Sequence, residues 1–205
     1  MKKEIRNSND EGIGCLLAWN LVLRHWSFVI RHFFGTLLIL PGIGLSQTTS
    51  TENNLKAVYL FHFAQFVEWP HGAFATPESP LVIGILGQDY LSSAVEEAVA
   101  GESVRGRKLV VKRCGIVDEA ENCHILFISR SEATRVDRIL ARLRGKSILT
   151  VSDLDAFTTR GGMIRFVTEG NRVRFRINTE ATEKAGLTLS SKLLRLAERV
   201  TPGKS

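Results

Sequence analysis

From residue 51 to residue 68 apolar side chains recur at helical spacing, with Leu55, Val58, Tyr59, Phe63, Phe66 and Val67 on one stripe. Pro70 stops this helix, because it has no N–H to donate and its ring clashes with the preceding turn. Phe61, Trp69 and Phe74 fall off the stripe, so the segment is aromatic on almost every side; it is either deeply buried or partly an interface, and burial is the favoured reading. The pattern then changes. Residues 81–86 are a continuous apolar run of strand length, and residues 90–100 read as a helix with Leu91, Ala94, Val95 and Ala98 inward. Residues 108–112 and 124–128 give two further strands, residues 132–143 a helix ended by Gly145, and residues 147–151 a fourth strand. Strands that are apolar throughout and alternate with helices predict a mostly parallel sheet covered on both faces.

The C-terminal part has a different period. Residues 163–168 and 172–177 are separated by Glu169, Gly170 and Asn171, a turn suited to a hairpin, which adds an antiparallel edge. Asn178 or Thr179 can cap a final helix, interrupted near Gly186, that offers Leu187, Leu189, Leu193, Leu194, Leu196 and Val200 as apolar surface; Ser190 and Ser191 can cap a fresh turn at the break. The expected fold class is therefore α/β: a single three-layer Rossmann-like domain, with a mostly parallel sheet and a C-terminal antiparallel hairpin. No Gly/Ser linker divides it.

That domain is expected over residues 47–205, behind a leader at residues 1–46. Arg31 and His32 precede an apolar run at residues 33–45, within the roughly 7 to 15 residues of a signal-peptide core, and Gly44 and Ser46 are small enough for cleavage before Gln47. A spanning helix needs about 20 apolar residues, and Pro41 with the neighbouring glycines weakens one, so export is favoured over anchoring. The stretch before Arg31 is polar at first, and residues 21–27 are echoed by residues 28–34; an overextended start site or a long leader fits this better than a folded repeat, which needs several larger units.

Charge matters here through its placement. The leader holds five basic and three acidic residues, so about +4 of the chain's net +6 remains after it, too little for a nucleic-acid binder. Arg172, Arg174 and Arg176 alternate with Val173, Phe175 and Ile177, which puts the arginines on one face of a strand, with Arg165 joining from the preceding strand. Two readings stay open: a solvated sheet face whose like charges discourage edge pairing, or a docking surface for an acidic partner or anionic headgroups. Arg135, Arg138 and Arg142 form a second row at helical spacing, read as a wet helix face.

Little in the sequence points to catalysis. The segment from Gly84 to Asp89 follows a strand and opens a helix, the place for a phosphate loop, but it lacks both GxGxxG and the P-loop lysine. Asp153 and Asp155 follow the fourth strand, where ligands often bind, yet a turn or helix cap explains them equally well. After the leader only His62, His71 and His124 remain, with no serine elbow, so no catalytic residue, cofactor or metal site is expected. Cys15 lies in the leader. Cys114 and Cys123 flank residues 115–122 in what should be an oxidising compartment, and read as a disulfide, with a pair of buried thiols as the alternative.

Residues 55–61, 66–70, 123–129, 147–153, 161–166, 172–178 and 185–194, taken as one ordered series, resemble the YfiR family of small secreted bacterial proteins over roughly residues 55–200. The resemblance implies a periplasmic repressor that docks on the sensor domain of an inner-membrane diguanylate cyclase and lowers cyclic-di-GMP, with no enzymatic activity of its own. It also implies cystine-stabilised folding, which Cys114 and Cys123 match, although many members carry a cysteine in the first strand where this chain has Gly84. On this reading Arg165, Arg172, Arg174 and Arg176, with the Glu169 turn and the aromatic helix including Trp69, form the docking surface, and homodimerisation is a further expectation. The competing expectation is a periplasmic small-ligand module with its cleft near Gly87, Ser129 and Asp153, and a third is an uncharacterised hydrolase.

Overall fold

The computed structural model describes residues 47–201 apart from Asp89 and Asn171, so the expected leader, its cleavage point and Cys15 lie outside the described residues. Helix α1 (Gln47–Phe66) leads directly into a two-residue strand, β1 (Val67–Glu68). There follow β2 (Leu81–Leu86), α2 (Leu91–Ala98), β3 (Ser103–Val104), β4 (Arg107–Cys114), β5 (Ile125–Ile128), α3 (Val136–Leu143) and β6 (Leu149–Ser152). The chain ends in β7 (Ile164–Glu169), β8 (Arg172–Asn178), α4 (Thr179–Lys184), β9 (Thr188–Leu189), α5 (Ser191–Leu196) and β10 (Arg199–Thr201).

Eight strands form one sheet in the order β10-β8-β7-β6-β5-β2-β4-β3. The central five, β4, β2, β5, β6 and β7, are parallel. At one end β8 returns antiparallel to β7 and β10 lies parallel to β8; at the other, β3 forms a short hairpin with β4. β1 and β9 make a separate antiparallel ribbon. Because side chains alternate across a strand, β5 sends Ile125 and Phe127 to one face, into a core shared with α1 and α2. It sends Leu126 and Ile128 to the other face, into a second core shared with α3 and the 3-10 turn Val117–Asn122. Two covered faces are why the central strands β2 and β5 carry no polar alternation, and they make the expected three-layer α/β architecture the observed one.

Several elements differ in extent. α1 begins and ends earlier than its periodicity predicts, since Val67 and Glu68 leave it to pair with Leu189 and Thr188. Its buried side carries Ala57, Leu60, Phe63 and Ala64, whereas Leu55 and Val58, expected inward, are exposed. The all-round aromatic composition makes two stripes nearly equivalent in hydrophobicity, and contact with the sheet selects the one containing Phe63. The helix expected from residue 132 starts at Val136, after a 3-10 turn Arg130–Glu132. The final helix is two short ones: Gly186, at φ 70°, turns the chain out, β9 pairs with β1, and Ser190 caps α5 by accepting from the Leu193 N–H. Asn178 caps α4 by accepting from the Ala181 N–H, as its position predicts. Val200, expected on that helix, lies in β10.

The join between α1 and the C-terminal hairpin is aromatic. Phe63 is fully buried, with its ring 5.8 Å from Phe166 and 5.2 Å from Phe175, and Tyr59 lies 5.3 Å from Phe175. Phe63→Ala is expected to cost about 3–5 kcal/mol in chemical denaturation, from lost burial and the cavity left behind; a loss below about 1 kcal/mol would contradict this packing.

Candidate functional site

Two-residue hairpin geometry sets the register of β7 and β8: Glu169 lies opposite Arg172, Val167 opposite Arg174, and Arg165 opposite Arg176. These six side chains share the outer face, while Phe166, Val173, Phe175 and Ile177 point inward. The arginines expected on one face are therefore brought together, but three of them are held by the chain's own carboxylates. Arg165 pairs with Asp155. Arg174 Nη1 and Arg176 Nε reach the two oxygens of Glu198 at 3.3 and 3.1 Å, and Arg176 followed by Arg174 holds that carboxyl below the usual carboxylate range. Arg172 is exposed and makes no ion pair among the described residues.

Trp69 does not join this face. It follows β1, at the end of the sheet where the parallel strands begin, whereas the Glu169 turn lies at the end where they finish. Its Nε1 donates to the His124 carbonyl at 3.3 Å, and it packs edge-on against Phe74. Phe74 stacks on His124 at 4.2 Å and carries the Arg107 guanidinium 3.8 Å from its ring centre. Trp69, Phe74 and Arg107, with Ala64, Pro70 and Leu81, line a cavity of about 460 Å³. The Val82 N–H donates to His124 Nδ1, so Nε2 carries the ring proton and donates to the Ala73 carbonyl at 3.2 Å.

The expected ligand cleft at the sheet's other end is filled by protein. β2 leads to α2 on one face and β5 to α3 on the other, so the chain reverses direction between these adjacent strands, where open α/β sheets often bind ligands. Here the buried Ser129 hydroxyl meets that of Ser131 at 2.6 Å, the Gln88 N–H donates to Ser131 at 3.0 Å, and a Cβ on Gly87 would overlap both hydroxyls.

One cluster near this end escapes the sequence reading. Lys56, on the buried side of α1, places its ammonium 2.8 Å from Asp153 and 2.7 Å from Glu52, and Arg130 reaches the same Asp153 oxygen at 3.3 Å. Burial opposes the charge on Lys56, but its bonds to Asp153 and Glu52 outweigh that and raise its pKa. Asp153 and Asp155, read as turn or cap residues, instead tie α1 and β7 to the end of β6. A lysine inside an apolar helix stripe is the only signal, and it does not name a partner.

Cys114 and Cys123 are both buried free thiols, and the Cys114 Sγ–H donates to the Lys112 carbonyl at 3.9 Å. Burial, then the charge of Cys114, pushes the Cys123 thiol up to about 12. A Cβ on Gly84 would overlap the Cys123 sulfur, so the small residue in β2 leaves Cys123 the room it occupies. Among the described residues no three His, Cys, Asp or Glu side chains are grouped to hold a metal ion, and no helix is long and apolar enough to cross a membrane.

Two of these sites give predictions. Replacing Lys56 by Met leaves Asp153 facing only an exposed Arg130, and is expected to cost about 3 kcal/mol or more by denaturant unfolding; an equally stable variant would contradict the tie. Burial, with Arg107 nearby, holds the His124 pKa below its ordinary value of 6.5. Its folded pKa being the lower one, the stability linked to it is complete above about 6.5 and is lost as pH falls through the folded value. An NMR titration is expected to keep this ring neutral below pH 6.5, and protonation at or above that pH would contradict its buried placement.

No curated protein matches the chain. Among solved structures, a conserved domain protein from Vibrio cholerae O1 biovar eltor aligns at 12% identity and a TM-score of 0.44, over 58% of this chain and 54% of that one, so the chain spans about half the length of that neighbour. The profile of the YfiR/HmsC-like family, whose members are non-enzymatic periplasmic proteins of cyclic-di-GMP regulation, matches residues 53–198, from within α1 to just past α5, and the chain belongs to that family.

Proposed function

We propose that this protein is exported by its first 46 residues and represses an inner-membrane diguanylate cyclase by binding that enzyme's sensor domain. The observation that carries the reading is the family match across residues 53–198. The outer face of the β7–β8 hairpin, with Arg165, Glu169, Arg172, Arg174 and Arg176, is the docking surface, because it gathers four arginines on one face of two adjacent strands. Trp69 is left out of it. Repression requires that the inactive cyclase bind more tightly than the active one, since equal affinity shifts no equilibrium. Cys114 and Cys123, already in contact, lose their two hydrogens to a disulfide-bearing oxidant after export and close the loop around residues 115–122.

A second reading, a small-ligand module, is favoured by the aromatic cavity of about 460 Å³ beside Trp69 and Phe74. It separates from the first in one experiment. Protein produced from the full chain is used to capture partners from detergent-solubilised host membranes, with and without reductant. Recovery of a diguanylate cyclase is expected, with capture reduced at least about tenfold by Arg174→Glu and weakened by reductant. Unchanged capture by the Arg174→Glu variant would contradict the docking face. A co-purified small molecule with no membrane partner would favour the second reading.

A further inference from the structure

At β4 the outer edge of the sheet is covered only at its start. On the inner side β2 accompanies β4 from Leu109 to Cys114, but on the outer side β3 pairs just Val104 with Arg107 and Ser103 with Lys108. One more bond follows, from the Leu109 N–H to the Glu102 carbonyl at 3.3 Å. Among the described residues no strand lies against residues 110–113 on that side.

Two bonds fix which backbone groups are left there. The Leu109 N–H points outward, to Glu102, whereas the Cys114 carbonyl points inward and accepts from the Gly87 N–H at 3.2 Å. Along a strand the N–H and C=O of one residue point the same way, and successive residues point opposite ways. Val111 and Arg113 therefore turn both groups outward, where no backbone partner among the described residues reaches them. The segment lies at the surface: Val110 is 42% exposed, Arg113 is exposed, and Val111 and Lys112 are half-buried.

The side chains define the strand that fits. β4 sends Cys114 to the second core, so Lys112, Val110 and Lys108 share that face. Lys108 is exposed and makes no ion pair among the described residues, and Lys112 gives its ammonium to a backbone carbonyl, that of Glu119, at 2.7 Å. Two ammonium groups without a carboxylate thus flank an exposed valine along the edge. A second copy of this edge would set lysine against lysine. The complementary occupant comes from another protein and carries carboxylates on either side of an apolar residue.

We infer that the outer edge of β4, from Val110 to Arg113, receives an extended acidic strand of a partner protein, which continues the ladder that β3 and Glu102 begin. Main-chain bonds to Val111 and Arg113 give this strand its affinity, and carboxylates against Lys108 and Lys112 give it register. β4 and the β7–β8 hairpin lie towards opposite ends of the strand order, so the inference does not rest on the function proposed above.

The test uses protein produced from the full chain and a short fluorescent peptide of alternating Glu and Val. Binding is expected to weaken with added salt, to fall by about tenfold in Lys108→Glu, and to be lost when alternate peptide amides are N-methylated. Arg113→Pro, which removes one outward N–H at an edge position where proline is tolerated, is expected to weaken it as well. The Val111 and Arg113 amides are expected to gain protection from hydrogen exchange, and an alternating Lys and Val peptide is expected not to bind. No binding of the acidic peptide, or binding indifferent to N-methylation or to Lys108→Glu, would overturn the inference and leave the lysines as guards of an unused edge. Binding abolished by Arg174→Glu would put the peptide on the hairpin face and overturn it equally.

Discussion

Everything at the C-terminal end of this fold depends on one packed contact, the aromatic join between α1 and the β7–β8 hairpin. Phe63 inserts between Phe166 and Phe175 with no exposed surface, and burying three large rings is the largest local gain available to a hairpin that would be marginal alone. Because strand side chains alternate, fixing Phe166 and Phe175 inward fixes Arg165, Arg174 and Arg176 outward. The arginine face is thus a geometric consequence of the core beneath it. The same docking brings Lys56 over the end of β6, where Asp153 receives it.

Charge at the end of β6 and on the hairpin face is organised differently. Near the strand ends beside α1, Lys56 is buried between Asp153 and Glu52, and the serine hydroxyls close the crevice between β2 and β5. Such pairs hold elements in place but leave little for a ligand. On the hairpin the pairs are partly exposed and use carboxylates from Asp155 and Glu198, so solvent and an incoming partner compete for them. A regulator that works through contact needs the second kind of surface and a rigid scaffold beneath it.

Much of this architecture is legible from residues alone, for a physical reason. The β2 and β5 runs are apolar throughout because both faces are covered, and alternation in β8 announces one wet face and one dry. What escaped has equally physical causes. The leucines after Gly186 favour helix locally, but Val67 needs an edge partner and Leu189 supplies it. β10 is three residues long and has no period to read. The buried side of α1 is ambiguous by composition, and the Lys56–Asp153 pair spans 97 positions that only the fold brings together. Trp69 and the hairpin arginines share a chemistry suited to interfaces, yet the direction of the strands sets them at opposite ends.

The account makes the chain a brake on cyclic-di-GMP synthesis, and the level of that nucleotide in the host is the most direct measure of it. Removing the gene is expected to raise cellular cyclic-di-GMP, and returning the full chain, with its own first 46 residues, to bring it back down. A level that stays the same when the gene is removed, in cells that make the protein, would contradict the account.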